Sequence, residues 1–132
     1  MRDYFTAAEM LCKCGRPDCE APGFVTAALL DPLNALRERV GHPLIVTSGL
    51  RCAFWNQHEG GADDSEHLTG EGVDLATTTG AERWDLLRAT FAGAAPLFTR
   101  IGIGRAFVHF GVSVTLARGR VWHYYPAKEA TA

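Results

Sequence analysis

Ser65-Glu66-His67-Leu68-Thr69-Gly70-Glu71-Gly72-Val73-Asp74 sets a histidine and an aspartate seven residues apart across two glycines. The histidine ends a loop, and the aspartate sits in Gly72-Val73-Asp74-Leu75-Ala76, which reads as a strand. Gly70 and Gly72 can take backbone angles closed to other residues, so the chain can turn sharply enough for the two side chains to meet. A third residue, His109, lies inside the otherwise apolar run Phe107-Val108-His109-Phe110. Two histidines and one carboxylate are a common ligand set for catalytic zinc, with a fourth position left to water. Bound zinc lowers the pKa of that water to about 7 and polarises a scissile carbonyl. Spacing alone leaves plainer readings open: a hydrogen-bonded His67–Asp74 pair, and His109 as a satisfied core histidine.

Upstream, Leu44-Ile45-Val46-Thr47-Ser48 is a short β-branched run and reads as a strand. Residues 49–71 are rich in Gly, Asp, Asn and Ser, lack periodicity, and read as one long loop of the kind that usually carries function. Thr6-Ala7-Ala8-Glu9 matches a capping box for a short first helix. Val25, Leu29, Leu33, Leu36 and Val40 recur at helical spacing, with Asp31-Pro32 expected to kink the helix or restart it. Gly41 and Pro43 stop that helix. Downstream, Ala81 to Phe91 is a second main helix with Trp84, Leu87 and Phe91 on its core face. Residues 101–104, 107–114 and 120–125 read as strands. The order predicts an α+β single domain, a central antiparallel sheet flanked by helices, over residues 1–126. Residues 127–132 are expected to form a flexible tail.

Composition narrows the function classes. The 132 residues are 47% apolar and 21% charged, an ordinary globular mixture, and the net charge of -2 gives no basic footprint for nucleic acid. No run is basic enough for electrostatic membrane binding, and none approaches the ~20 apolar residues of a membrane span. Met1-Arg2-Asp3-Tyr4-Phe5 has no apolar signal region, so synthesis in the cytoplasm without a signal peptide is the expectation. A monomer is expected from the small size and mild charge. Three of the four cysteines crowd into Cys12-Lys13-Cys14-Gly15-Arg16-Pro17-Asp18-Cys19, and the fourth is Cys52. A structural metal, a disulfide to Cys52 and free thiols all fit that spacing.

The Ser65–Asp74 stretch, preceded by Thr47-Ser48-Gly49-Leu50-Arg51-Cys52, Asn56 and Gly60-Gly61-Ala62, resembles the zinc D-alanyl-D-alanine carboxypeptidase family. That family includes L-alanyl-D-glutamate endopeptidases of phage lysins, and its fold is similar to the hedgehog signalling domain. Phe107-Val108-His109 resembles the segment bearing the third zinc ligand, and Arg120-Val121-Trp122-His123-Tyr124 the last strand of small phage and bacterial members. The resemblance runs over about residues 4–125. It implies zinc held by His67, Asp74 and His109, and hydrolysis of a D-amino-acid-containing bond in peptidoglycan stem peptides. It also implies that Arg51 holds a substrate carboxylate or the developing oxyanion, a role suited to its planar donor fork, with Ser65 and Asn56 at the substrate. On this reading the protein acts on the cell wall after release or as a virion component.

One departure stands out. Small members commonly read Phe-x-His-x-Asp on the third-ligand strand, whereas here the acid's place is taken by Gly111. Other branches place an acid three or six residues before the ligand, where this chain has Ala106 and Ile103. His123, with an unperturbed pKa of about 6.5, is the candidate general base, with Glu66, Glu71 and Asp64 as further candidates. If the missing acid limits turnover, Gly111→Asp should raise it. The alternative is a catalytically impaired zinc- and peptidoglycan-binding module, and a third reading is a structural protein that uses only the fold. Phe54 and Trp55 are expected near a substrate groove. Phe107, Phe110, Trp122, Tyr124 and Tyr125 are expected in core or sheet-face packing.

Overall fold

The computed structural model describes residues 2–126. Thr6 caps the short helix α1 (Ala7–Met10) with the reciprocal Thr6/Glu9 bonds that the capping box foretells. Helix α2 (Ala27–Val40) starts at a Thr26 cap and ends on Gly41 in the left-handed conformation. It neither restarts nor takes Asp31 as cap: Pro32 lies inside a continuous helix. Pro32 is the sixth helical residue, beyond the partnerless first-turn amides, so the helix runs on at the cost of the bond its missing N–H would have given to the carbonyl four residues back.

Strand β1 (Val46–Ser48) is followed by helix α3 (Ala53–His58) and a single 3-10 turn (Glu66–Leu68). The expected unbroken loop therefore contains two short helical pieces, too short to show periodicity. Then come β2 (Gly72–Ala76), α4 (Gly80–Thr90), β3 (Arg100–Ile103), β4 (Phe107–Gly111) and β5 (Arg120–His123).

The strands form one sheet in the order β1-β2-β4-β3-β5. All neighbours are antiparallel except β3 and β5, so the sheet is mixed rather than wholly antiparallel. After β4 the chain reverses, as in a hairpin, but lands beyond β3, which makes β5 parallel to it. Alternation splits the sheet into two faces. Val73, Leu75, Ile101, Val108 and Phe110 are buried in the core with Leu29, Leu33 and Leu36 of α2 and Leu86 and Ala89 of α4. The other face carries Asp74, His109, Gly102 and Trp122 in adjacent register.

Helix α4 departs from expectation. Leu86, Ala89 and Thr90 are its buried residues, whereas Trp84 is 67% exposed and Phe91 54%. The apolar residues fall on more than one side of α4, so the bulkiest side chain was a poor guide to the core face. No described helix is long and apolar enough to cross a membrane. The expectation for residues 127–132 lies outside the described residues.

Candidate metal centre

Strands β2 and β4 pair so that Asp74 faces His109 directly. The 3-10 turn brings in His67, and Gly70 (φ 75°) makes the tight reversal from that turn into β2. One ligand atom from each of His67, Asp74 and His109 lies within 4.8 Å of the others, and all three residues are buried. His67 Nε2 is 3.1 Å and His109 Nδ1 2.9 Å from the same oxygen, Asp74 Oδ1.

The outer nitrogens decide what this arrangement fits. His67 Nδ1 lies 2.6 Å from the Gly49 carbonyl, which can only accept, so Nδ1 carries the proton. His109 Nε2 lies 3.0 Å from Glu66 Oε1, another acceptor, so that nitrogen is also the protonated one. In neutral imidazoles both inner nitrogens then present lone pairs to a carboxylate oxygen. Three acceptors converging on one point call for a cation between them, and two nitrogens with one oxygen suit zinc. Tying off the outer nitrogen is the usual device for orienting a metal-ligating histidine.

Charges follow from the same bonds. Burial alone would raise the Asp74 carboxyl, but hydrogen bonds with His109 and His67 outweigh it and hold the group well below the carboxylate range. Burial would likewise raise Glu66, but His109, the Ser113 amide and Arg100 bring it below its ordinary value. For His109 burial would lower the pKa, yet bonds to Asp74 and Glu66 raise it. In the metal-free chain the proton stands in for the cation.

Arg51 is buried beside the cluster and fixed by three bonds. It donates from Nε to Ser48 Oγ at 2.9 Å, from one terminal nitrogen to Asn56 Oδ1 at 3.2 Å, and from the other to Asp74 Oδ2 at 3.3 Å. A guanidinium has five N–H donors, so two remain. Asn56 is committed to the scaffold, accepting from Arg51 and donating to the Ala62 carbonyl at 2.8 Å. Asn56 is buried, holds Arg51 and does not itself border the cleft. Ser65 caps the 3-10 turn, accepting from the His67 amide at 3.2 Å, and borders the cleft.

His123 does not reach the centre. It shares the face of Val121, is exposed, and accepts from the Tyr125 amide through Nδ1 at 3.2 Å. Alternation aims its neighbours Trp122 and Tyr124 at the cleft instead. Glu71 is occupied by the Thr69 hydroxyl at 2.6 Å, away from the metal cluster, whereas Asp64 borders the cleft.

The cleft has a volume of about 340 Å³, with His67, Asp74 and His109 in its wall beside Arg51, Trp122 and Tyr124. Trp122 packs against His109 with ring centroids 5.7 Å apart, and burial pushes the Tyr124 phenol above its ordinary pKa, keeping it a donor. Phe54 and Trp55 do not border this cleft, so the aromatic wall comes from the last strand rather than from α3. Register with His109 across β3 is the signal that could have found Trp122 from the sequence.

The Glu66 carboxylate lies beside Gly111. A side chain built at Gly111 would fall on the Glu66 carboxylate, which therefore fills the space a carboxylate at 111 would enter. That carboxylate accepts from His109, from Arg100 Nε at 3.0 Å and from the Ser113 amide at 2.9 Å. The expectation that Gly111→Asp would raise turnover gives way here, because the added acid would meet a buried like charge.

The sequence profile of peptidase M15 matches residues 3–111. The chain belongs to the peptidase M15 family. No curated protein matches the chain significantly. The M15 match takes in all three proposed ligands, Arg51 and Glu66, and stops before the strand that brings Trp122. M15 membership makes this a metallopeptidase-family domain, in agreement with the resemblance read from its motifs.

Proposed function

We propose that the protein is a zinc-dependent peptidase that hydrolyses a D-amino-acid-containing bond in peptidoglycan stem peptides. Support comes from the convergence of His67 Nε2, His109 Nδ1 and Asp74 Oδ1 with both outer imidazole nitrogens tied to acceptors. Zinc held by these three residues supplies Lewis acidity and a water of lowered pKa. The remaining work belongs to the chain. Gly49 and Glu66 keep the two histidines in the ligating tautomer. Arg51, with two donors to spare, binds a stem-peptide carboxylate or the oxyanion that develops during attack. Trp122 and Tyr124 form the wall against which the peptide lies. The bond is of the D,D-carboxypeptidase or L-Ala-D-Glu endopeptidase type, and the setting is the cell wall, reached after release or from a virion.

A second reading is favoured by one observation. Glu66 lies beside Gly111, yet it already has three donors and a lowered pKa, the reverse of a base tuned near neutrality. A zinc- and peptidoglycan-binding module with little turnover follows if no cleft carboxylate takes the proton. Mass spectrometry of peptidoglycan fragments after incubation with the zinc-loaded protein, with His67→Ala as control, separates the two. New fragments absent from the control are expected and would name the bond. An unchanged pattern with zinc bound would instead favour the module.

A further inference from the structure

The cysteine loop is the second place where ligands converge, and the peptidase reading makes no use of it. We propose that Cys12, Cys14, Cys19 and Cys52 hold a second metal ion, a four-thiolate structural site for zinc. The inference stands independently of the proposed peptidase activity.

All four sulfurs lie within 4.8 Å of one another, and Cys12 Sγ is 3.8 Å from Cys52 Sγ. A tetrahedron of thiolates with zinc–sulfur bonds of about 2.3 Å has sulfur–sulfur edges of about 3.8 Å. The four cysteines are free thiols, and none is bonded to another. Here each sulfur neighbours all three others, which is the arrangement of a shared central ion. These are the only cysteines of the chain, and soft thiolates select zinc over magnesium or calcium.

Backbone donors surround the cluster as they do around ligating sulfur. The Cys52 amide donates to Cys12 Sγ at 3.3 Å, the Trp55 amide to Cys52 Sγ at 3.4 Å and the Arg16 amide to Cys14 Sγ at 3.4 Å. Such bonds stabilise thiolate charge and orient the ligand. Gly15 (φ 69°) turns the chain after Cys14, bringing the Arg16 amide back onto that sulfur.

The placement gives the ion a purpose. Residues 11–26 contain no helix or strand, so little else fixes that stretch. Cys52 caps α3 and follows Arg51 directly. An ion here ties the amino-terminal loop to the segment that carries the cleft arginine, across 40 residues of chain.

The test uses the full chain purified without chelator or reductant, and a His67→Ala/His109→Ala variant that lacks the first site. Elemental analysis should find two zinc ions per wild-type chain and one in the variant. The variant's thiols should react with a chromogenic reagent only once chelator and denaturant are added together. Cobalt substitution of the variant should give an intense thiolate-to-cobalt charge-transfer band. Cys12→Ser/Cys19→Ser should abolish that band when added to the variant, and in the otherwise wild-type chain should leave one zinc at the first site. Should the histidine variant fail to fold, the wild-type stoichiometry decides: two ions support the site, and one ion lost only on His67→Ala overturns it. Freely reactive thiols in the folded variant purified without chelator, or a mass lowered by the hydrogens of two disulfides, would also overturn it.

Discussion

Glu66 is the residue on which the centre's chemistry rests most visibly. It holds the outer nitrogen of His109, and partners of this kind typically contribute 10–100-fold in metal affinity. Glu66→Ala is therefore expected to weaken zinc binding by roughly that factor, read by competition with a chromogenic chelator. Equal affinities would remove Glu66 from the metal's support. Gly111→Asp should also weaken zinc binding and lower stability rather than restore turnover, because its side chain collides with the Glu66 carboxylate. A rise in turnover with zinc affinity intact would reverse that account.

The same residues set a pH dependence. Asp74 and Glu66 have pKa values in the folded chain below their ordinary 3.8 and 4.5. Their contribution to stability is present above about pH 4.5 and is lost as pH falls toward the depressed folded values. His109 is raised above 6.5, so its contribution is full below that pH and lost as pH rises through the raised value. The metal-free chain should then be most stable between about pH 4.5 and 6.5, and zinc should remove the decline above 6.5 by replacing the proton. Melting temperature against pH, with chelator and with zinc, reads both limbs. A metal-free chain whose stability keeps rising through pH 7.5 contradicts the His109 assignment.

Elements were legible where periodicity was long and caps were explicit. The Thr6 capping box marks the start of α1, and the 3.6-residue recurrence through α2 and the β-branched run of β1 report the elements directly. His67, Asp74 and His109 stand out as polar residues where the local pattern asks for apolar ones or for a turn, but only the family resemblance singled them out as a ligand set. Arg51 was legible only through its motif. The misreadings share a physical cause. Trp84 and His123 were assigned by residue chemistry on elements whose facing is decided by what lies across from them. The edge position of β5 exposes Val121 and His123 alike, and a parallel return beyond β3 has no local signature. Helix facing can be checked by mutation. Leu86→Ala should cost about 2–5 kcal/mol. Trp84→Ala, on the exposed side, should stay within about 0.5 kcal/mol. Chemical denaturation measures both, and a large loss for Trp84→Ala would return that residue to the core.

At the scale of the molecule, the sheet divides labour between its faces. The helices α2 and α4 cover one face and supply the core, while the segments between β1 and β2 close over the other and hold the cleft. The ligands come from the 3-10 turn, β2 and β4, and Glu66 also reaches Arg100 on β3 and the Ser113 amide beyond β4. A cation that draws these segments together binds only the folded arrangement, so its binding free energy adds to global stability. Free zinc at one hundred times its dissociation constant for this site adds about 2.7 kcal/mol. For a chain of this length that is a rise in melting temperature of roughly 8–13 °C. His67→Ala should abolish the increment, because it removes a ligand while leaving the helix-covered core untouched. A wild-type chain that binds zinc at this site without the rise would mean that the ligands come together outside the native sheet. The β2–β4 register would then not be what builds the centre.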